Sequence, residues 1–169
     1  MCIAIYKPAG KTLLRTALKN CYLNNDDGCG FIYAEDGVLH WFKAVNSFRK
    51  LWRAYKKINP HDKNVVLHFR IRTSGKCDIT NCHPFFVNDN LGFVHNGIIS
   101  ELPNDDKLND TQMFNSLILK QLPDNWLDEP VLRSLVEHRI GTLNKMIFLD
   151  NTGKVDILNE AQGAWDDGV

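Results

Sequence analysis

The sequence holds no apolar run near the ~20 residues that a membrane-spanning helix requires, so no membrane partner is expected. No segment repeats, and no low-complexity tract or linker interrupts the chain, which leaves a single domain over residues 1–169. Neither sign of charge is in surplus: twenty Lys and Arg face twenty Asp and Glu. That balance argues against a dominant nucleic-acid footprint, and no nucleic-acid partner is expected. The densest basic run, Arg49 to Lys57, falls on a predicted helix and reads as its solvated face. An export signal is missing too, because Pro8, Gly10 and Lys11 follow the first residues at once. The five cysteines (Cys2, Cys21, Cys29, Cys77 and Cys82) are odd in number and widely spaced. Without an export signal they read as reduced thiols in a cytoplasm. Cys77, Cys82 and His83 fit no common zinc spacing and have no second ligand pair, so neither a metal nor another cofactor is expected.

What is present suits a soluble domain with a real core: hydrophobic residues make up 44% of the chain and charged ones 24%. Residues 2–6 read as a buried strand. A helix is predicted over 11–22, with Leu13, Leu14, Ala17, Leu18 and Cys21 on one face. The run Asn24 to Gly30 reads as a turn-rich loop. Phe31 to Ala34 and Val38 to Phe42 flank Glu35-Asp36-Gly37 as a hairpin. Ser47 reads as an N-cap, followed at helical spacing by Phe48, Leu51, Trp52, Tyr55 and Ile58. Strands are predicted at Val65 to Arg70 and Leu91 to His95. A helix from Thr111 to Gln121 follows a capping-box pattern of Asn109 with Gln112. A further helix is predicted over 129–140, and a hairpin joins Met146 to Leu149 with Val155 to Leu158. Short strands mixed with a few amphipathic helices indicate an α+β layered fold.

Four polar clusters sit at the ends of predicted elements, where sites are usually built. They are Cys2, the run His68 to Gly75, His95-Asn96-Gly97, and Asn109-Asp110-Thr111. Singly, each has a structural explanation. Cys2 is a strand residue, Arg70 and Arg72 are strand charges, Asn96-Gly97 is a turn, and Asp110 belongs to a helix cap. Cys2 also has a chemical one. Once Met1 is removed, its thiol (reference pKa ~8.5) lies beside its own α-amine (~7.7–8.0), which can take the thiol proton.

Taken in order, Cys2, Asp27-Gly28-Cys29-Gly30, His68-Phe69-Arg70, Thr73-Ser74-Gly75, Cys82-His83-Pro84-Phe85, His95-Asn96-Gly97-Ile98-Ile99 and Asp110-Thr111 resemble one family. It is the class II glutamine amidotransferase glutaminase domain, of the N-terminal-nucleophile hydrolases, and the opening Met1 to Gly10 is similar to its small stand-alone members. The resemblance implies a four-layer αββα sandwich of two stacked antiparallel sheets flanked by helices. It implies Cys2 as nucleophile on the side-chain amide of L-glutamine, with the Asn96 carboxamide and the Gly97 N–H as oxyanion donors. Arg70 is then expected to hold the substrate carboxylate, Asp110 its ammonium, and Thr73 to line that end of the pocket. His83 is expected to be a support and not a base. The chain departs from many members at Ile3, where they have Gly, and at Arg72 and Ser74. A glutaminase that feeds ammonia to a separate synthase is the reading this resemblance implies. A stand-alone amidohydrolase on another γ-glutamyl or amide substrate, and a non-catalytic module binding glutamine or a partner, are the alternatives.

Overall fold

A computed structural model of the protein describes residues 2–71, 78–103 and 108–169. The architecture is α+β, with two four-stranded antiparallel sheets stacked between helices. The first sheet contains β1 (Ile3–Lys7), β2 (Gly28–Glu35), β3 (Val38–Ala44) and β4 (Val65–Arg70), in the spatial order β1-β4-β2-β3. The second contains β5 (Phe85–Asn88), β6 (Leu91–Asn96), β7 (Lys145–Asp150) and β8 (Val155–Leu158), in sequential order. Helices α1 (Arg15–Asn24) and α2 (Phe48–Lys57) cover the outer face of the first sheet. Helices α3 (Asp110–Leu117) and α4 (Pro130–Ile140) cover that of the second. Among the described residues no helix is long and apolar enough to cross a membrane.

The period-two alternation of strand side chains divides the interior into three apolar layers. In β2 and β4, Cys29, Phe31, Tyr33, Val65, Leu67 and Phe69 point to the helices and pack with Leu18, Leu51 and Tyr55. In β6 and β7, Leu91, Phe93, Met146 and Phe148 point the other way and meet Phe114, Trp126, Val136 and Ile140. The intervening residues, Ile32, Val66, Val94, Ile147 and Leu149, meet between the sheets. That middle layer holds the fewest buried apolar residues of the three. Gly92 on β6 lets the Ile32 side chain approach: a Cβ there would lie 2.3 Å from it.

Local sequence accounts for most element limits. The Ser47 side chain accepts from Lys50 N at 3.3 Å and starts α2. Asn109 and Gln112 close a reciprocal capping box on α3. Lys7, fully buried at the end of β1, donates its ammonium to the carbonyls of Pro60 and His61, which ties the strand to the turn before β4.

Three expectations are corrected. Helix α1 begins at Arg15, after an uncapped Leu14 that is 67% exposed, so Leu14 is not part of the buried face. The stretch read as a loop up to Gly30 is already strand from Gly28. Its glycines serve close packing: a Cβ on Gly28 would lie 2.4 Å from Cys82 Sγ, and one on Gly30 2.2 Å from the His83 carbonyl oxygen. Strand β5, not foreseen, is only four residues long and carries a bulge between Phe86 and Asn88. The helix expected to reach Gln121 ends at Leu117, and its last turn continues as the 3-10 segment Leu119–Gln121.

Candidate active site

The inner faces of the two sheets are apolar at one end and polar at the other. In the first sheet the pairing Ile3 with Phe69 extends to bring Cys2 opposite Arg70. Both share the inner-face parity of Ala4 and Val66, which pack between the sheets. In the second sheet Asn96 pairs with Lys145, and both share the parity of Val94 and Ile147. Cys2, Arg70, Asn96 and Lys145 therefore occupy the end of the middle layer, where apolar contact stops.

Cys2 donates its Sγ–H to the Ile71 carbonyl at 3.6 Å. Burial pushes its thiol above the usual range, and the Asp110 charge adds to this; backbone hydrogen bonding at Ile71 and the Arg70 guanidinium pull it down. Arg70 and Asp110 are thus both within electrostatic reach of the thiol. The other described thiols are placed differently. Cys29 is buried on the helix side of β2, and burial with neighbouring Cys82 pushes it up to about 12.

Arg70 is buried at the end of β4, and its carbonyl accepts from Asp27 N at 3.2 Å. Asp110 is the first residue of α3, where a carboxylate is favoured by the helix dipole. Its Oδ2 accepts from Ile99 N at 2.8 Å, which fixes the chain just beyond Gly97. The cap residue Asn109 donates to Asn81 Oδ1 at 3.2 Å, anchoring the start of α3 to the turn before β5. Asn96 Oδ1 is buried without a partner, and no side-chain hydrogen bond of Asn96 is found among the described residues. Gly97 has φ of +144°, and a Cβ on it would lie 2.1 Å from Asn144 Oδ1, so glycine is required there on both counts. Thr73 lies outside the described residues.

A support network that sequence reasoning missed lies behind Asn96 and Gly97. Buried His95 donates from Nε2 to Asn144 Oδ1 at 2.8 Å and accepts from the Thr111 hydroxyl at Nδ1, also at 2.8 Å. Asn144 donates onward to the Ile140 carbonyl at 2.6 Å, and its own carbonyl accepts from Asn159 at 2.7 Å. From the other sheet His68 donates from Nε2 to the His95 carbonyl at 3.0 Å. The His83 ring packs on His68, with centroids 4.0 Å apart, and on Phe85 at 4.5 Å. Burial lowers all three imidazoles, His68 to about 3 and His83 well below the usual histidine value, so they are neutral at pH 7. A neutral Nε2–H tautomer is what these hydrogen bonds of His68 and His95 need. The motif His95-Asn96-Gly97 pointed to this strand end, but nothing in the local sequence marks Asn144.

Over 94 residues the chain is 31% identical to a Haemophilus influenzae protein named "Putative glutamine amidotransferase", a stretch covering 53% of this chain and 31% of that protein. The chain spans about a third of that relative's length. No family model matches the chain.

The arrangement has definite chemical capacities. A thiol, a guanidinium and a carboxamide whose oxygen has no partner among the described residues share one end of the middle layer, with a carboxylate in electrostatic reach of the thiol. Such a set can hold a zwitterionic amino acid by its two charges and present its side chain to a nucleophile. Among the described residues no group of three or more His, Cys, Asp or Glu side chains is placed to hold a metal ion.

Proposed function

We propose that the protein is a glutamine amidohydrolase of the class II amidotransferase type, with Cys2 as its N-terminal nucleophile. The observation that carries the reading is the convergence of Cys2, Arg70 and Asn96 at one end of the middle layer, with Asp110 in electrostatic reach. The relation to a protein named as a glutamine amidotransferase supports it.

Removal of Met1 frees the Cys2 α-amine. The amine accepts the thiol proton as Sγ attacks the side-chain carbonyl carbon of glutamine. A thiol held protonated by burial needs such a base beside it. The tetrahedral oxyanion accepts hydrogen bonds from the Asn96 carboxamide and the Gly97 N–H. Asn144 and His95 hold that backbone in place. The C–N bond breaks, the amine returns its proton to the leaving nitrogen, and ammonia departs. A water molecule then hydrolyses the γ-glutamyl thioester, releasing glutamate and the thiol. Arg70 pairs with the substrate α-carboxylate and Asp110 with its α-ammonium. The ammonia passes to a separate synthase.

The test joins N-terminal mass spectrometry with a glutamine-to-glutamate assay. A chain that begins at Cys2 and releases one glutamate per ammonia supports the reading. A correctly processed chain that leaves glutamine intact, alone and with a co-encoded synthase and its substrate, overturns it.

A further inference from the structure

The two long sides of the sandwich are finished differently. On the side of β3 and β5, Trp41 packs on Phe86 with ring centroids 6.1 Å apart. On the opposite side β1 ends its sheet and β8 ends the other, and between them lies a cavity of about 670 Å³. That is within the ~300–1,000 Å³ typical of ligand sites. Four consecutive residues of β1, Ile3 to Tyr6, line it. Alternate side chains of a strand point to opposite faces, so four in a row line one cavity only where the strand presents its edge. That edge is open. β1 pairs with β4 alone, and among the described residues no backbone hydrogen bond is made from its other edge.

The walls are apolar, with Leu13 and Ala17 on one side and Ile147 and Ile157 on the other. Asn96 and Lys145 close one end. Lys145 forms no ion pair among the described residues. The C-terminal segment makes the rim, where Trp165 stands edge-on to Tyr6 at 6.0 Å and Lys11 lies 3.7 Å from Asp167.

We infer that the open edge of β1 is a docking site for an extended polypeptide segment of a partner, which adds as a fifth strand with apolar side chains in the trough and a carboxylate at Lys145. The backbone groups decide the occupant. A purely apolar molecule would bury strand N–H and C=O groups without partners, at the full desolvation cost of each. An extended peptide supplies matching groups at strand spacing and fills the trough with its side chains. A second copy of this chain offers only the same edge, recessed between the same walls. Since Asn96 lines the trough, the docked strand ends beside the candidate catalytic centre. The inference concerns binding and stands apart from glutamine chemistry.

The probe is the peptide acetyl-Lys-Val-Thr-Val-Ile-Val-Asp, used free and also tethered to Val169, which itself lines the trough, through a Gly-Ser linker. Tethering raises its effective concentration to about the millimolar range. The readout is amide hydrogen exchange of Ile3 to Lys7 by NMR. The outward amides of β1 are expected to slow by about tenfold or more, with the free peptide bound several-fold more weakly by the Lys145→Ala variant. A peptide N-methylated at alternate amides is expected to give no protection. Unchanged exchange with both free and tethered peptide overturns the inference. Equal binding of the N-methylated peptide overturns it in favour of an apolar ligand. Concentration-dependent protection of the protein alone, with a doubled mass in sedimentation, overturns it in favour of a second copy.

Discussion

The layers that face the helices and the layer between the sheets are built on different terms. Each helix-facing layer is a continuous apolar cluster, with Phe93, Phe114, Trp126 and Phe148 in one and Phe31, Leu51, Tyr55 and Phe69 in the other. The middle layer holds fewer buried residues and stops short, giving way to Cys2, Arg70, Asn96 and Lys145 on inward-facing positions. The outer layers carry stability. The middle one ends in polar side chains. A sandwich can hold polar groups between two sheets because the outer layers already supply enough burial to keep it folded.

Several substitutions break or sharpen this contrast. The largest effect is expected from Cys2→Ala: glutamine hydrolysis falls below detection while the thermal midpoint and far-UV circular dichroism stay unchanged. Residual turnover near the wild-type rate would remove Cys2 from the mechanism. In an outer layer, Phe114→Ala is expected to do the opposite. It should cost about 3–5 kcal/mol of stability in urea denaturation, and below the unfolding transition the surviving fold should keep its Michaelis constant. Asn96→Ala is expected to lower kcat about 10²–10³-fold, the loss of one oxyanion donor, without destabilising, because its buried Oδ1 has no partner to lose. A large drop in melting temperature would instead make Asn96 a structural residue.

The imidazole layer gives a pH test. His68 is lowered to about 3 by burial, against an unfolded value near 6.5. Protons therefore bind the unfolded chain first. The stability contributed by neutral His68 is complete above about pH 6.5 and is lost as pH falls from there toward 3, at roughly 1.4 kcal/mol per pH unit for this one group. Denaturation midpoints measured at pH 7, 6 and 5 should fall accordingly, and His68→Gln should flatten the profile. A flat wild-type profile over that range would mean that His68 is solvated. The smallest effect is expected at Leu14→Lys, within about 0.5 kcal/mol in the same denaturation assay, because Leu14 is 67% exposed and lies outside the buried face that its spacing suggested.

Much of the fold was legible because its signals are local. Ser47 and the apolar spacing from Phe48 to Ile58 define α2, and Asn109 with Gln112 defines the start of α3. The apolar runs at Val65 to Arg70 and Met146 to Leu149 mark two of the central strands. Gly28 and Gly30 misled for a physical reason. Glycine marks a turn when its φ is positive, and it marks a close approach when a neighbour from elsewhere fills the space of its Cβ. Only the approach of Cys82 and His83 distinguishes the two. Strand β5 escaped because four residues with a bulge carry too little periodicity to register.

The order of Cys2, Arg70, Asn96, Gly97 and Asp110 is a property of the sequence, and so is the alternation that turns the first three inward. Their meeting is not. It depends on two pairings, β1 with β4 and β6 with β7, and on the stacking that sets those strand ends across from one another. Asn144 shows the limit most plainly. Its amide joins His95, Gly97 and the end of α4, partners that local periodicity cannot connect. The open edge of β1 was equally invisible, since a strand's sequence tells which residues it buries and not whether a neighbour pairs with its second edge. Side-chain direction is set by the chain itself, residue by residue, whereas proximity between distant segments exists only once the sheets have packed.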